Sequence, residues 1–265
     1  MAVLTLTTLN RFPVKSLRGE SFRALEIGPR GFVFDRRWMV VNAEGRFLTQ
    51  RQQPRMALID TSIGEDGTLR LAAQGAGEIR VADDELGRIP VTVWGDTVNA
   101  ALVDPAADAW LSDFLSLPCR LVRFADELTR PVDPTYALPS DHTAFADGFP
   151  FLLISQGSLD DLNARLETPV PMIRFRPNLV VQGCAPFAED DWKRIRIGTV
   201  TFRVAKPCSR CAIPTVDPAT GQRGSEPLRT LAGYRRRDNQ VFFGQNLLHD
   251  GPGRLEVGMK VEVLE

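Results

Sequence analysis

The stretch Lys206-Pro207-Cys208-Ser209-Arg210-Cys211, with Thr215-Val216-Asp217-Pro218 close behind it, decides how the rest of the chain is read. It sets two of only four cysteines three positions apart, beside a lysine and an arginine. A thiolate is both a nucleophile and a soft metal ligand, and neighbouring cations favour the ionised form. Tetrahedral zinc wants four ligands, yet there is no second cysteine pair, and His142 and His249 stand far apart. A redox pair of the thioredoxin kind opens a helix, whereas Ile213-Pro214 follows here and proline lacks the donor a helix interior needs. Two thiols buried as small hydrophobes would not call for flanking charges. What remains is a single metal or sulfur ligand held in a cationic pocket, with Cys208 and Cys211 equally eligible.

Working outward, 265 residues accommodate one large or two modest domains, and 43% apolar with 25% charged residues is ordinary for a globular protein. The net charge of −1 provides no global field toward nucleic acid or an anionic membrane. Four cysteines in so long a chain do not make a disulfide framework and fit a reducing compartment. No run approaches the roughly 18 apolar residues of a membrane span, and the opening residues 1–9 read as a strand and not as a signal peptide. The expected location is the cytoplasm.

From Val3 to about Val103 the pattern is strand after strand. Trp38 to Val41 closes in the turn Asn42-Ala43-Glu44-Gly45, Met56 to Ile63 and Leu69 to Ala72 flank another turn, and Pro90 to Trp94 pairs with Thr97 to Val103 as a hairpin. Asp104 and Pro105 are the cap and first residue of a helix whose inner face carries Trp110, Leu111, Phe114 and Leu115. Residues 125–146, interrupted by Pro131, Pro134 and Pro139, form a long loop. Strands follow at 149–154, 179–181, 195–197, 199–205, 240–243 and 255–264, with helices expected from Ser158 to Leu166 and from Glu226 to Arg235. The fold class is mainly β with some α: the first half reads as a barrel or a compact sheet, the second as β-dominated with a few helices, and the helix after Asp104 as the hinge between them.

Cys208-Ser209-Arg210-Cys211 and Thr215-Val216-Asp217-Pro218, then Glu226-Pro227-Leu228 and Phe243-Gly244-Gln245-Asn246, together resemble the MOSC domain, the molybdenum cofactor sulfurase C-terminal domain. Phe12-Pro13-Val14-Lys15-Ser16 and Asp35-Arg36-Arg37-Trp38 resemble the β-rich domain that precedes it in the amidoxime-reducing members of that family. The resemblance covers nearly the whole chain in the family's order, and it implies a β-barrel domain over 119–265 preceded by a smaller β-rich domain over 1–118. It implies a molybdenum cofactor, Mo-molybdopterin, whose phosphate needs cations, whose pterin edge needs hydrogen-bond partners and whose metal needs a soft ligand. Cys211 matches the family's metal-ligating, catalytic cysteine, and Cys208 a position that does not ligate.

By the same resemblance Lys15, Ser16, Arg36, Asp147, Gly148, Arg176, Asn178, Ser209, Arg210 and Asn246 bind the cofactor. Arg176 and Asn178 flank Pro177 at the mouth of a buried strand, where an arginine is costly unless paired with an anion. Asp147 can accept paired donors, and Gly148, where a relative has threonine, leaves only backbone contact. Asn246 stands where that relative has tyrosine. Asp217 is either an orienting carboxylate or the start of a turn, and Arg235-Arg236-Arg237 is either a solvated face or a docking patch. The implied activity is reduction of N-hydroxylated compounds such as hydroxylamines, amidoximes and N-hydroxylated bases. No cysteine follows Cys211, so an iron–sulfur domain in the same chain is not expected. Electrons are expected from a separate flavin reductase, ferredoxin-like or cytochrome b5-like protein. The other reading is a carrier of cofactor or persulfide sulfur without turnover.

Overall fold

A computed structural model describes residues 3–81 and 84–265; Met1 and Ala2 of the expected opening strand lie outside the described residues. In the front half the strands are β1 (Thr5–Arg11), β2 (Glu20–Phe22), β3 (Ala24–Gly28), β4 (Gly31–Phe32), β5 (Trp38–Asn42), β6 (Asp60–Ile63), β7 (Leu69–Ala73), β8 (Gly77–Val81), β9 (Arg88–Val93) and β10 (Asp96–Leu102). The helix α1 (Pro105–Leu115) leads to β11 (Cys119–Arg123). The back half holds β12 (Phe151–Ser155), α2 (Gln156–Asn163), β13 (Leu179–Gln182), β14 (Arg194–Ile197) and β15 (Val200–Ser209). After these come α3 (Leu228–Ala232), β16 (Arg236–Arg237), β17 (Gln240–His249), β18 (Gly253–Glu256) and β19 (Val261–Val263). The protein is mainly β with a few helices, and no helix of the described residues is long and apolar enough to cross a membrane.

The largest sheet runs β19-β14-β15-β17-β12-β13-β1-β2, with β16 on β17. As a ladder this path is open, so the expected closed barrel is not formed. Its ends do approach: Leu6 N donates to Met259 O at 2.9 Å, Gly258 N to Leu6 O at 2.8 Å and Val261 N to Leu4 O at 2.9 Å. The rest of that edge of β1 is given to β2, through Leu9↔Phe22 and the pairs after it. Sheet pairing crosses from front half to back half at β1–β13 and at β3–β18. One buried cluster joins the two halves around Leu6, Leu9, Phe32, Phe151, Leu179, Phe202 and Leu247. The front half has a second cluster around Trp38, Met56, Leu69, Leu111 and Leu121, where α1 lies on its small sheets.

Several expected elements hold. Asp104 accepts from Ala106 N with Pro105 in the first turn, and Leu111, Phe114 and Leu115 are buried. Val93 pairs with Asp96, so Trp94-Gly95 is the two-residue turn of the hairpin. Others shift. The strand expected at Met56 begins only at Asp60, because Pro54 opens a 3-10 turn through Leu58 that buries Met56 and Ala57. The strand expected from Phe149 begins at Phe151. Ser158 does not cap α2; Ser155 does, accepting from Ser158 N at 3.1 Å, while the Ser158 hydroxyl donates to the buried Glu189 at 2.7 Å. The helix expected over 226–235 is shorter, opened after Pro227 and closed at Gly233. The strand expected over 255–264 is two, β18 and β19, in different sheets, because Gly258 turns the chain at φ +99°.

Candidate functional site

The cysteine pair does not lie in a free loop. Strand β15 continues through Lys206-Pro207-Cys208 to Ser209 against β17, with register irregularities between Val204 and Lys206 and between Pro207 and Ser209. Such bulges accommodate a proline in a sheet and re-aim side chains, which is why they recur beside functional sites. On the facing strand Gly244 holds φ +80°, and a Cβ there would lie 2.6 Å from Ile154 and 2.8 Å from the Leu153 carbonyl. Only glycine lets β17 lie that close to β12. Beyond Arg210, whose N–H donates to Val241 O at 2.7 Å, the chain turns at Cys211 into a 3-10 turn at Ile213–Thr215. Arg174 fastens that turn, donating to Pro214 O at 2.8 Å and pairing with Asp217 at 3.1 Å. Asp217 Oδ1 also accepts from Ala219 N and Thr220 N. It is both the turn residue and the anchor of Arg174.

The front half supplies the opposite wall. Residues 12–15 lie along 36–38 through Arg36 N to Phe12 O, Trp38 N to Pro13 O and Lys15 N to Trp38 O, at 2.7, 3.0 and 2.8 Å. Val14 and Leu17 face the core, which leaves Lys15 and Ser16 to face the other half. Lys15 is nonetheless 4% exposed: its Nζ donates to Phe145 O at 2.9 Å and pairs with Asp147. Arg36 pairs with the buried Asp35, whose other oxygen accepts from Phe12 N at 2.8 Å. Arg36 also donates to Asn178 Oδ1 at 2.9 Å. The Phe12 ring carries two guanidiniums, Arg36 at 4.5 Å and Arg176 at 4.2 Å from its centroid.

All eleven residues singled out from the sequence line one pocket between these walls: Lys15, Ser16 and Arg36 from the front half, Asp147, Gly148, Arg176 and Asn178 beneath, and Ser209, Arg210, Cys211 and Asn246 opposite. Three of them, Ser16, Arg36 and Arg176, hold left-handed backbone at φ 65°, 47° and 57°. Each such residue costs of order 1–3 kcal/mol and persists only where its surroundings over-determine it. Arg176 takes that conformation where a 3-10 turn ends and Pro177 bars a helical continuation.

The electrostatics are one-sided. Among the described residues, Lys15, Arg36, Arg176 and Arg210 meet two carboxylates, Asp35 and Asp147, and Asp35 is already committed to Arg36. Burial first, and then the nearby Arg36 and Arg210, push Arg176 down to about 9, against the pull of Asp35 and Asp147. Burial likewise lowers Lys15, with Asp147 opposing. Desolvation would raise Asp147, but the Lys15 ammonium, hydrogen bonds from Lys15 and Trp94, and Arg36 outweigh it and hold the carboxyl well below the usual range.

The two cysteines differ. Cys208 Sγ accepts from Arg210 Nη1 at 3.1 Å and packs on the cluster around Phe175 and Phe243. Cys211 is free of any disulfide and, among the described residues, has no hydrogen bond on its thiol. Among the described residues the Nε of Arg210 is buried without a hydrogen-bond partner. Asn178, in contrast, is spent on the protein: besides Arg36 it engages Asn10 O at 3.2 Å and Leu152 N at 3.3 Å. Asn246 donates to Lys206 O at 3.3 Å. At Gly148 a Cβ would meet nothing within 4 Å. Sequence reasoning missed Phe12, Asp35 and the apolar lining of Phe149, Phe151, Leu152, Phe175 and Ile213. The first two lay inside quoted motifs, whereas the others read as ordinary core. Of the arginine run, Arg235 pairs with Asp190, and Arg236 and Arg237 are exposed.

With this geometry in place, comparison with known proteins gives two family matches: the MOSC N-terminal beta barrel domain over residues 3–118 and the MOSC domain over 140–262. The chain is 35% identical to mitochondrial amidoxime-reducing component 1 of Mus musculus, over 98% of this chain and 82% of that protein. It is 36% identical to the Homo sapiens protein of the same name, over 98% and 83%. It is also 33% identical to the molybdenum cofactor sulfurase of Oryza sativa subsp. japonica, over 88% of this chain and 31% of that protein.

Proposed function

Because the chain belongs to the MOSC family, with the N-terminal and MOSC domains in that order, we propose that it is a molybdenum cofactor-dependent oxidoreductase. It reduces N-hydroxylated compounds, the hydroxylamines, amidoximes and N-hydroxylated bases, with electrons from a separate donor protein. The single observation that carries this reading is the pocket itself: four cations and one unpartnered thiol from distant parts of the chain converge, on strained backbone, around a space rich in donors. The fit to an anionic, metal-bearing guest rests on the buried, orphaned Arg210 Nε, on the cationic excess and on the free thiol of Cys211. No three His, Cys, Asp or Glu side chains cluster as ligands among the described residues. Toward a metal here the chain itself would offer the Cys211 thiolate. The division into 1–118 and 119–265, and a place in the cytoplasm, belong to the same reading.

When bound, the cofactor supplies a two-electron couple, and the overall change is R–NHOH + 2 e⁻ + 2 H⁺ → R–NH₂ + H₂O. Lys15, Arg36, Arg176 and Arg210 would hold its phosphate through guanidinium and ammonium donors already oriented, with the Ser16 hydroxyl beside them. Asp147, through its remaining oxygen, the Gly148 backbone, Ser209 and Asn246 meet the pterin edge. Asn178 acts on Arg36, holding the guanidinium toward the pocket. Cys211 ligates the metal. Cys208 stays with Arg210.

A second reading is favoured by the likeness to a sulfurase and by the guanidinium on Cys208: a carrier of sulfur as a persulfide, without turnover. Elemental and pterin analysis after expression in a cofactor-competent host separates the two. The expected result is stoichiometric molybdenum that drops at least about tenfold in Cys211→Ala and is kept in Cys208→Ala, since losing a metal's ligand costs more than the 10–100-fold of losing its supports. Metal-free protein that takes labelled sulfur onto either cysteine from a desulfurase makes it the carrier.

A further inference from the structure

Among the described residues only two aromatic side chains are exposed, Trp94 at 46% and Tyr136 at 39%. Both are attached to the same three-residue strip of pocket wall, 147–149. Trp94 Nε1 donates to Asp147 Oδ1 at 3.2 Å, and the Tyr136 ring meets the Phe149 ring edge-on at 6.1 Å. Each ring also carries a cation at 4.5 Å, Arg51 on Trp94 and Lys206 on Tyr136.

Neither ring is placed by burial in the core. Trp94 holds φ 55° in the two-residue turn between Val93 and Asp96, where asparagine or glycine would sit without strain. Core burial, the usual compensation, is largely missing for a ring half in water. The turn is moreover tied to the strip and to the residues just before it: Arg130 joins Asp96 at 2.7 Å to the carbonyls of Ala144 at 2.9 Å, Ala146 at 2.6 Å and Asp147 at 3.4 Å. Tyr136 stands on the long proline-rich loop, which is pinned by Val132 N to Asp141 O at 3.1 Å and Leu138 N to Asp141 Oδ2 at 2.6 Å. Two exposed rings held this firmly beside one opening make a surface for flat molecules.

We infer that Trp94 and Tyr136 form the recognition rim of the pocket, stacking the planar body of the incoming substrate, while Arg51 and Lys206 turn cationic molecules away. This rests on the reductase reading and sharpens it. The rim admits a neutral aromatic amidoxime and repels the protonated amidine that its reduction yields. An aliphatic molecule too small to reach the rim gains nothing from it.

The test uses the full chain loaded with cofactor, supplied with an artificial electron donor, and compares benzamidoxime with hydroxylamine in Trp94→Ala, Tyr136→Ala and the double variant. The expected result is a KM for benzamidoxime that rises in the double variant roughly tenfold more than the KM for hydroxylamine, the size expected for losing aromatic stacking. KM values that rise equally for both compounds, or for neither, overturn the rim. If molybdenum-loaded wild type turns over no N-hydroxylated compound, the reductase reading falls. The rim is then still decided by tryptophan fluorescence: benzamidoxime quenches it saturably in wild type and not in Trp94→Phe, and quenching that never saturates in wild type overturns it.

Discussion

The two walls of the pocket are built on opposite principles. On the front wall every charge is answered inside the protein: Arg36 by Asp35 and Asn178, Lys15 by Asp147 and Phe145 O. On the back wall the polar groups of the CxxC turn are only partly answered, with Arg210 Nε orphaned and the Cys211 thiol unengaged. A paired buried charge is rigid and costly to break, whereas an unpaired one is available. The front wall is thus a pre-aimed electrostatic frame, and the back wall keeps polar groups not yet committed within the protein.

Three measurements break or sharpen that contrast. The largest effect belongs to the front wall: Arg36→Ala leaves Asp35, itself 6% exposed, without its cation and lowers stability by about 3 kcal/mol. Arg210→Ala removes one bond to Phe175 O and one to a sulfur and costs about 1 kcal/mol. Urea unfolding of the cofactor-free protein reads both, and equal losses would erase the distinction between the walls.

Next in size is the acid limb of Asp147. Its folded value lies below the ordinary 3.8, so its contribution is complete above that pH and is lost as the pH falls toward the depressed value. The gap in thermal midpoint between wild type and Asp147→Asn is therefore constant at neutral pH and narrows below the ordinary aspartate value. A gap independent of pH would mean that the Lys15 pair does not hold the carboxylate. The smallest effect is at Gly148, where a Cβ meets open space. Gly148→Ala changes stability by less than about 0.5 kcal/mol, and a larger loss in the same urea assay would show that the floor of the pocket is not free.

How much of this was legible in the sequence depends on whether the deciding interaction is local. The Asp104 cap, the hairpin around Trp94-Gly95 and the strand at Trp38 follow from neighbouring residues and were readable. The cap at Ser155 was not, because the choice between Ser155 and Ser158 is made by Glu189, some thirty residues away. Strand β15 running through Pro207 was not readable either, since two bulges against β17 override the poor strand propensity of proline. For the pocket, the cysteine motif announced a soft ligand, but composition and spacing could not choose between Cys208 and Cys211. The guanidinium that occupies Cys208 bears on that choice only in three dimensions. Arg36 and Lys15, read as charges in a strand-rich region, would by themselves have passed for a solvated face.

The pairing of β1 with β13 and of β3 with β18 has a consequence for assembly. Because the halves share hydrogen-bonded ladders, they cannot part like a clamshell without tearing backbone bonds on both sides of the seam. A guest that comes to lie between the two walls therefore does so without their swinging apart. On the proposed function, a cofactor supplied after folding meets walls that are already laced together by backbone.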